Sequence, residues 1–158
     1  MTAKPFNIVL IAPEIPQNTG TIGRLCVCTG ARLHLIEPLG FLIDDAHLRR
    51  AGLDYWPYLD WTVHPGWEGF LDREQPQSMV FLSSKTTRSF FDYQVHEGEY
   101  LVFGNEQHGL PPDFYGRYAD RLRTLPMPGP HARRHNLANA AAITLYESLR
   151  QVGGLKGV

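Results

Sequence analysis

Three short runs in the second half of the chain hold residue types that bind ligands or steer charge. The first is Gly104-Asn105-Glu106-Gln107-His108-Gly109-Leu110-Pro111. Its glycines come directly after an apolar run, where a bare backbone lets a ligand approach closely and offers N–H groups without a side chain in the way. It lacks the G-K-[ST] ending of a Walker loop and the G-x-G-x-x-G spacing of a dinucleotide fingerprint. A plain strand-to-helix turn reads the same way. The second run, Leu125-Pro126-Met127-Pro128-Gly129-Pro130, is apolar and stiff, because proline fixes the backbone. It suits a wall that packs an adenine ring or a methionine-like chain, and equally a rigid loop.

The third run, His131-Ala132-Arg133-Arg134-His135-Asn136, is strongly basic. From Arg117 to His135 there are five arginines, two histidines and one acid, Asp120, a local charge of +4 with the histidines neutral. Such a patch attracts phosphate even on a neutral protein, and the guanidinium fork matches phosphate oxygens. A solvated charged loop is the bland alternative. Arg24, Asn139, Tyr146 and Glu147 are isolated polar residues on helix-like segments, with structural and functional readings both open.

No metal site is expected. Cys26 and Cys28 form a single C-x-C, two ligands short of a structural zinc site. The seven histidines are scattered without ligand spacing, and the cysteines read as packing residues in a reducing cytoplasm.

These runs need elements to position them. With 158 residues, 43 % hydrophobic and 20 % charged, the chain fits one globular domain. A net charge of −1 confines any nucleic-acid contact to a local patch. No apolar run approaches the roughly 20 residues of a membrane span. Strands are expected at 6–12, 32–36, 62–64, 78–83, 100–103 and 123–127. Helices are expected at 21–28, 44–51, 67–73, 111–119 and 136–152, the last with Leu137, Ala141, Leu145 and Leu149 on one face. Asn136 is placed to cap it. Alternating strands and helices predict an α/β domain with a mainly parallel sheet and helices on both faces. Ligands in such folds sit at the carboxyl ends of the strands, so three post-strand loops stand out: Ser83 to Arg88, Gly104 to Leu110 and Pro126 to His135.

Taken in order, three segments resemble the motifs of the SPOUT RNA methyltransferases. They are Pro13 to Gly20 with Arg24-Leu25-Cys26, then Phe103 to Pro111, then Leu125-Pro126-Met127 through Asn136-Leu137-Ala138-Asn139-Ala140 to Tyr146-Glu147. Further stretches, 35–41 and 48–55, resemble a subgroup of small tRNA 2′-O-methyltransferases that modify the wobble cytidine or uridine of leucine tRNAs. The resemblance implies a C-terminal trefoil knot, a homodimer built on the first and last helices, and S-adenosylmethionine as methyl donor. By that resemblance the cofactor is held by Leu82, Gly104, Glu106, Gly109, Leu125, Met127, Arg134 and Asn136. Arg24 and Arg133 match the arginines near the reacting ribose, and the basic loop tracks phosphates of the tRNA anticodon loop. Two positions depart from the motif: Arg134 and Ala138 stand where relatives carry serine. A cofactor-free RNA-binding protein and a ribosomal RNA methyltransferase are the rival readings.

Overall fold

The computed structural model describes residues 4–43 and 54–158. Six strands form one sheet: β1 (Asn7–Ile11), β2 (Arg32–Ile36), β3 (Trp61–His64), β4 (Met79–Leu82), β5 (Tyr100–Phe103) and β6 (Leu122–Arg123). Their order is β3-β2-β1-β5-β4-β6, and every pairing is parallel. The described helices are α1 (Pro16–Thr29), α2 (Trp67–Glu74), α3 (Phe114–Arg117) and α4 (Leu137–Gln151). The helix expected over 44–51, and most of the 48–55 stretch, lie outside the described residues.

Parallel strands covered on both faces read as continuous apolar runs. Along β1 the side chains alternate between two cores. Ile8 and Leu10 pack with Ile22 and Cys26 of α1 and with Ala141 and Leu145 of α4. Val9 and Ile11 pack with Phe70 of α2 and Phe114 of α3. The helices therefore sit on both faces, as the alternation of elements implies. Burial pushes the Cys26 thiol up to about 12, so it serves as a packing group.

Three boundaries moved, each for a local reason. Helix α1 begins at Pro16, five residues before the expected Thr21, with proline in its first turn where no N–H is required. Strand β6 is two residues long. The chain leaves the sheet before Pro126 and Pro128, which cannot donate to a ladder. Helix α3 closes after four residues and passes into a 3-10 turn at Ala119–Arg121. Helix α4 runs nearly as expected, and Asn136 accepts from the backbone N–H groups of Ala138 and Asn139.

Candidate active site

A cavity of about 430 Å³ opens at the carboxyl ends of β4, β5 and β6. Its wall is drawn from the loops after those three strands and from the first turns of α1 and α4. All eight residues expected to hold a cofactor line it: Leu82, Gly104, Glu106, Gly109, Leu125, Met127, Arg134 and Asn136.

The loop after β5 is a closed ring. Asn105 and Gly109 exchange both backbone hydrogen bonds at 2.9 Å. The Asn105 side chain accepts from the N–H groups of Gln107 and His108, and donates to the Ala12 carbonyl. Gly109 needs its positive φ of 73° to close the ring. Gly104 is glycine for a steric reason: a Cβ there would lie inside the Gly109–Leu110 peptide. Opposite this ring, the backbone groups of Leu125 and Met127 make no hydrogen bond among the described residues. Free backbone donors and acceptors between apolar side chains suit a ligand that is part flat ring and part thioether chain.

Two of the expected residues have committed side chains. Glu106 accepts from the Glu14 N–H at 2.8 Å, the Ile15 N–H at 2.9 Å and the Asn18 amide at 3.3 Å. Its carboxylate fixes the turn that opens α1. Asn136 spends its oxygen on the α4 cap and its amide on Asn18. Both shape the cavity chiefly by holding its walls. Arg134 is exposed at the rim, with Nη2 3.5 Å from the Gln107 carbonyl.

The two expected catalytic arginines do not line the cavity. Arg24, on α1, lies over the Tyr55 ring at 4.6 Å and donates to the Tyr55 hydroxyl at 3.2 Å. Arg133 is exposed on the loop before α4. Ser83 and Lys85 belong to the post-strand loop Ser83 to Arg88 that stands out in the sequence; neither was expected by name as a site residue, and both line the cavity. Ser83 Oγ is 3.1 Å from the Tyr115 hydroxyl, and Lys85 stacks on the Tyr115 ring at 5.4 Å. Their signal was position alone, directly after an apolar strand.

The model of the SpoU rRNA Methylase family matches residues 5–146. The chain belongs to that family. A tRNA (cytidine(34)-2'-O)-methyltransferase of Saccharophagus degradans is 48 % identical over 149 residues, covering 94 % of this chain and 96 % of the relative. A structure described as giving insight into 2-OH methylation of C/U34 on tRNA superposes with a TM-score of 0.87 at 42 % identity, covering 96 % of this chain and 98 % of its own. The SpoU methyltransferase AviRb of Streptomyces viridochromogenes, solved with AdoMet, shares the fold at TM-score 0.83 and 24 % identity, covering 98 % of this chain and 63 % of its own.

The histidines are less scattered than the sequence suggests. His34 and His64 stack on the α2 face of the sheet, both about 1 % exposed, and with Glu74 bring three metal-ligating groups within 4.8 Å of one another. A hydrogen-bond ladder accounts for the cluster. Asn7 donates its amide to the Pro5 and Gly98 carbonyls, so its oxygen accepts from His34 Nε2–H at 2.9 Å. His34 Nδ1 must then accept from His64 Nε2–H at 3.1 Å. Glu74 accepts from Tyr100 at 3.1 Å and pairs with Arg32 at 3.3 Å. Burial, then the positive charges nearby, push the His34 imidazole down to about 3, so it stays neutral.

Proposed function

We propose that the chain transfers a methyl group from S-adenosylmethionine to the ribose 2′-hydroxyl of the wobble nucleotide of tRNA. The target is position 34, a cytidine or a modified uridine, in leucine isoacceptors. The observation that carries the reading is the cavity itself. It gathers the loops after β4, β5 and β6 with the starts of α1 and α4, and all eight expected cofactor residues line it. The tRNA substrate is carried over from the relatives named above, which match over nearly the whole chain.

Bound S-adenosylmethionine supplies a methyl group on a sulfonium, already a good leaving group. The chain then has to hold donor and acceptor in line, and good alignment of this kind is worth effective molarities of about 10⁵–10⁸ M. Leu82, Leu125 and Met127 pack the apolar parts, and the free backbone of Leu125 and Met127 reads the polar edges. Arg24 and Arg133 orient the RNA and stabilise developing alkoxide charge. Neither acts as a base, because a guanidinium stays protonated in proteins.

The same reading includes a single domain, a cytoplasmic location and a trefoil knot in the C-terminal half. Close threading is supported by the bare Gly104 backbone and by Ala138, Ala140, Ala141 and Ala142 at the start of α4. It also includes a homodimer, for which Ile143 and Tyr146 offer exposed apolar surface on α4.

Methyl transfer from labelled S-adenosylmethionine to tRNA from cells lacking the protein, followed by nucleoside analysis, tests the proposal. Label in a 2′-O-methyl pyrimidine at position 34 is the expected result. Folded protein that leaves tRNA unlabelled sinks it.

A further inference from the structure

A second basic surface lies on the flank of the sheet, away from the 131–135 loop. Strand β6 is the edge strand; Arg123 lies within it and Arg121 ends the 3-10 turn just before it. Arg123 Nη1 donates to the carbonyls of Asp120 at 3.0 Å and Leu122 at 2.8 Å. Arg88 Nη1 reaches the same Asp120 carbonyl at 3.5 Å. Arg121 donates to the Tyr93 hydroxyl at 3.3 Å, while the Arg123 guanidinium lies over the Tyr93 ring at 5.1 Å.

Three guanidiniums thus converge on one carbonyl and one phenol. None of them makes an ion pair among the described residues. The Glu99 carboxylate stands behind Tyr93, fully buried, and accepts hydrogen bonds from Ser78, Tyr93 and the His96 N–H. Burial and then the neighbouring Arg88 and Arg121 hold Arg123 below the usual arginine range, a lowering that Tyr93 and Asp120 offset only in part. The three cations repel one another, and an anion on the patch would relieve that repulsion.

The patch borders the cavity. The Thr124 N–H donates to the Arg88 carbonyl at 2.8 Å, and Thr124 and Lys85 both line the cavity wall. Arg121 lies three residues before Thr124, roughly 10 Å of extended chain. The cavity is therefore flanked by cations on two sides, the 131–135 loop on one and the arginines of the sheet edge on the other.

We propose that Arg88, Arg121 and Arg123 form a phosphodiester-binding patch that holds the RNA strand on the sheet-edge side of the reacting nucleotide. The proposal rests on the RNA-methyltransferase reading. The partner is a nucleic-acid backbone, because planar guanidiniums that outnumber the one nearby carboxylate, Asp120, and make no ion pair with it match phosphate oxygens spaced along a strand.

The test compares R88Q/R121Q with wild type and with a control, K4Q/R73Q, which removes the same charge near the amino ends of the strands. Arg123 is kept, since it packs on Tyr93. Initial rates against tRNA concentration are measured over a range of salt. The patch predicts an approximately tenfold rise in KM for tRNA in R88Q/R121Q and a salt dependence shallower by about 1.5 on a log–log plot, for two phosphate contacts. K4Q/R73Q should match wild type, and R88K/R121K should recover most of the loss. An unchanged KM and slope in R88Q/R121Q, an equal loss in the control, or a loss that lysines fail to restore would each overturn the patch. Wild type that methylates tRNA while R88Q/R121Q keeps its KM condemns the patch alone. Wild type that transfers no methyl group to tRNA condemns the reading beneath it as well.

Discussion

Asn136 donates its side-chain amide to the Asn18 oxygen at 3.1 Å, across 118 residues of chain. Asn18 in turn donates to Glu106, so a single hydrogen-bonded line joins the starts of α1 and α4 to the loop after β5. Those are three of the segments that wall the cavity. Asn18 is buried, so Asn18→Ala removes a partner from the exposed Asn136 amide and loosens Glu106. The expected cost is about 0.5–1.5 kcal/mol of stability per lost hydrogen bond, with weaker S-adenosylmethionine binding. Urea unfolding and titration calorimetry read the two effects. Unchanged cofactor affinity at reduced stability would make the line a fold device only.

Gly104→Ala should damage the site far more than its size suggests. The new Cβ would collide with backbone at Gly109 and Leu110, and backbone cannot swing aside as a side chain does. Cofactor affinity is expected to fall at least tenfold, or the chain to lose solubility. Gly116→Ala is the contrast: nothing lies within 4 Å of its added Cβ, and replacing glycine in a helix stabilises by about 0.5–1 kcal/mol. Equal, mild effects at both positions would refute the steric account.

Much of this was legible in the residues, and the gaps have physical causes. Strands β2 and β5 lie where the apolar runs put them, since buried parallel strands leave a plain hydrophobic signal. The start of α1 was misplaced because its anchor is not local. Glu106 fixes the N–H groups of Glu14 and Ile15 from about 90 residues away, and no nearby side chain caps the helix. The cavity lining was readable because it follows strand ends. The roles of Glu106 and Asn136 as braces were not, since their partners lie in other loops. The meeting of His34 with His64 was hidden by the same cause: it depends on β2 pairing with β3.

The buried histidine gives the fold an acid limit. His34 has a folded pKa near 3 against about 6.5 when unfolded. The unfolded chain takes up a proton that the folded chain refuses, so stability falls as pH drops below 6.5. The slope approaches about 1.4 kcal/mol per pH unit for this group. Burial also lowers His64, which adds in the same direction. Ordinary carboxylates hardly titrate between pH 6.5 and 5, so urea midpoints across that window isolate the histidines. A flat profile from pH 7 to 5 would contradict a neutral buried pair.

Arg24 tests how the reaction is driven. Its guanidinium is held on the Tyr55 ring and hydroxyl, outside the cavity wall, so it should matter to the ribose and not to the cofactor. Arg24→Ala is expected to leave S-adenosylmethionine affinity within about twofold of wild type. Methyl transfer should drop by about 10²–10³, the usual loss when a donor to developing oxyanion charge is removed. Arg24→Lys keeps the charge but loses the planar fork, so its activity should fall between the two. Tyr55→Phe keeps the ring and removes one hydrogen bond, for a loss of a few-fold at most. Because arginine stays protonated, the pH–rate profile of wild type should show no step that Arg24→Lys displaces. A displaced step would make Arg24 the base. Loss of cofactor affinity in Arg24→Ala would move its action from the ribose to the methyl donor.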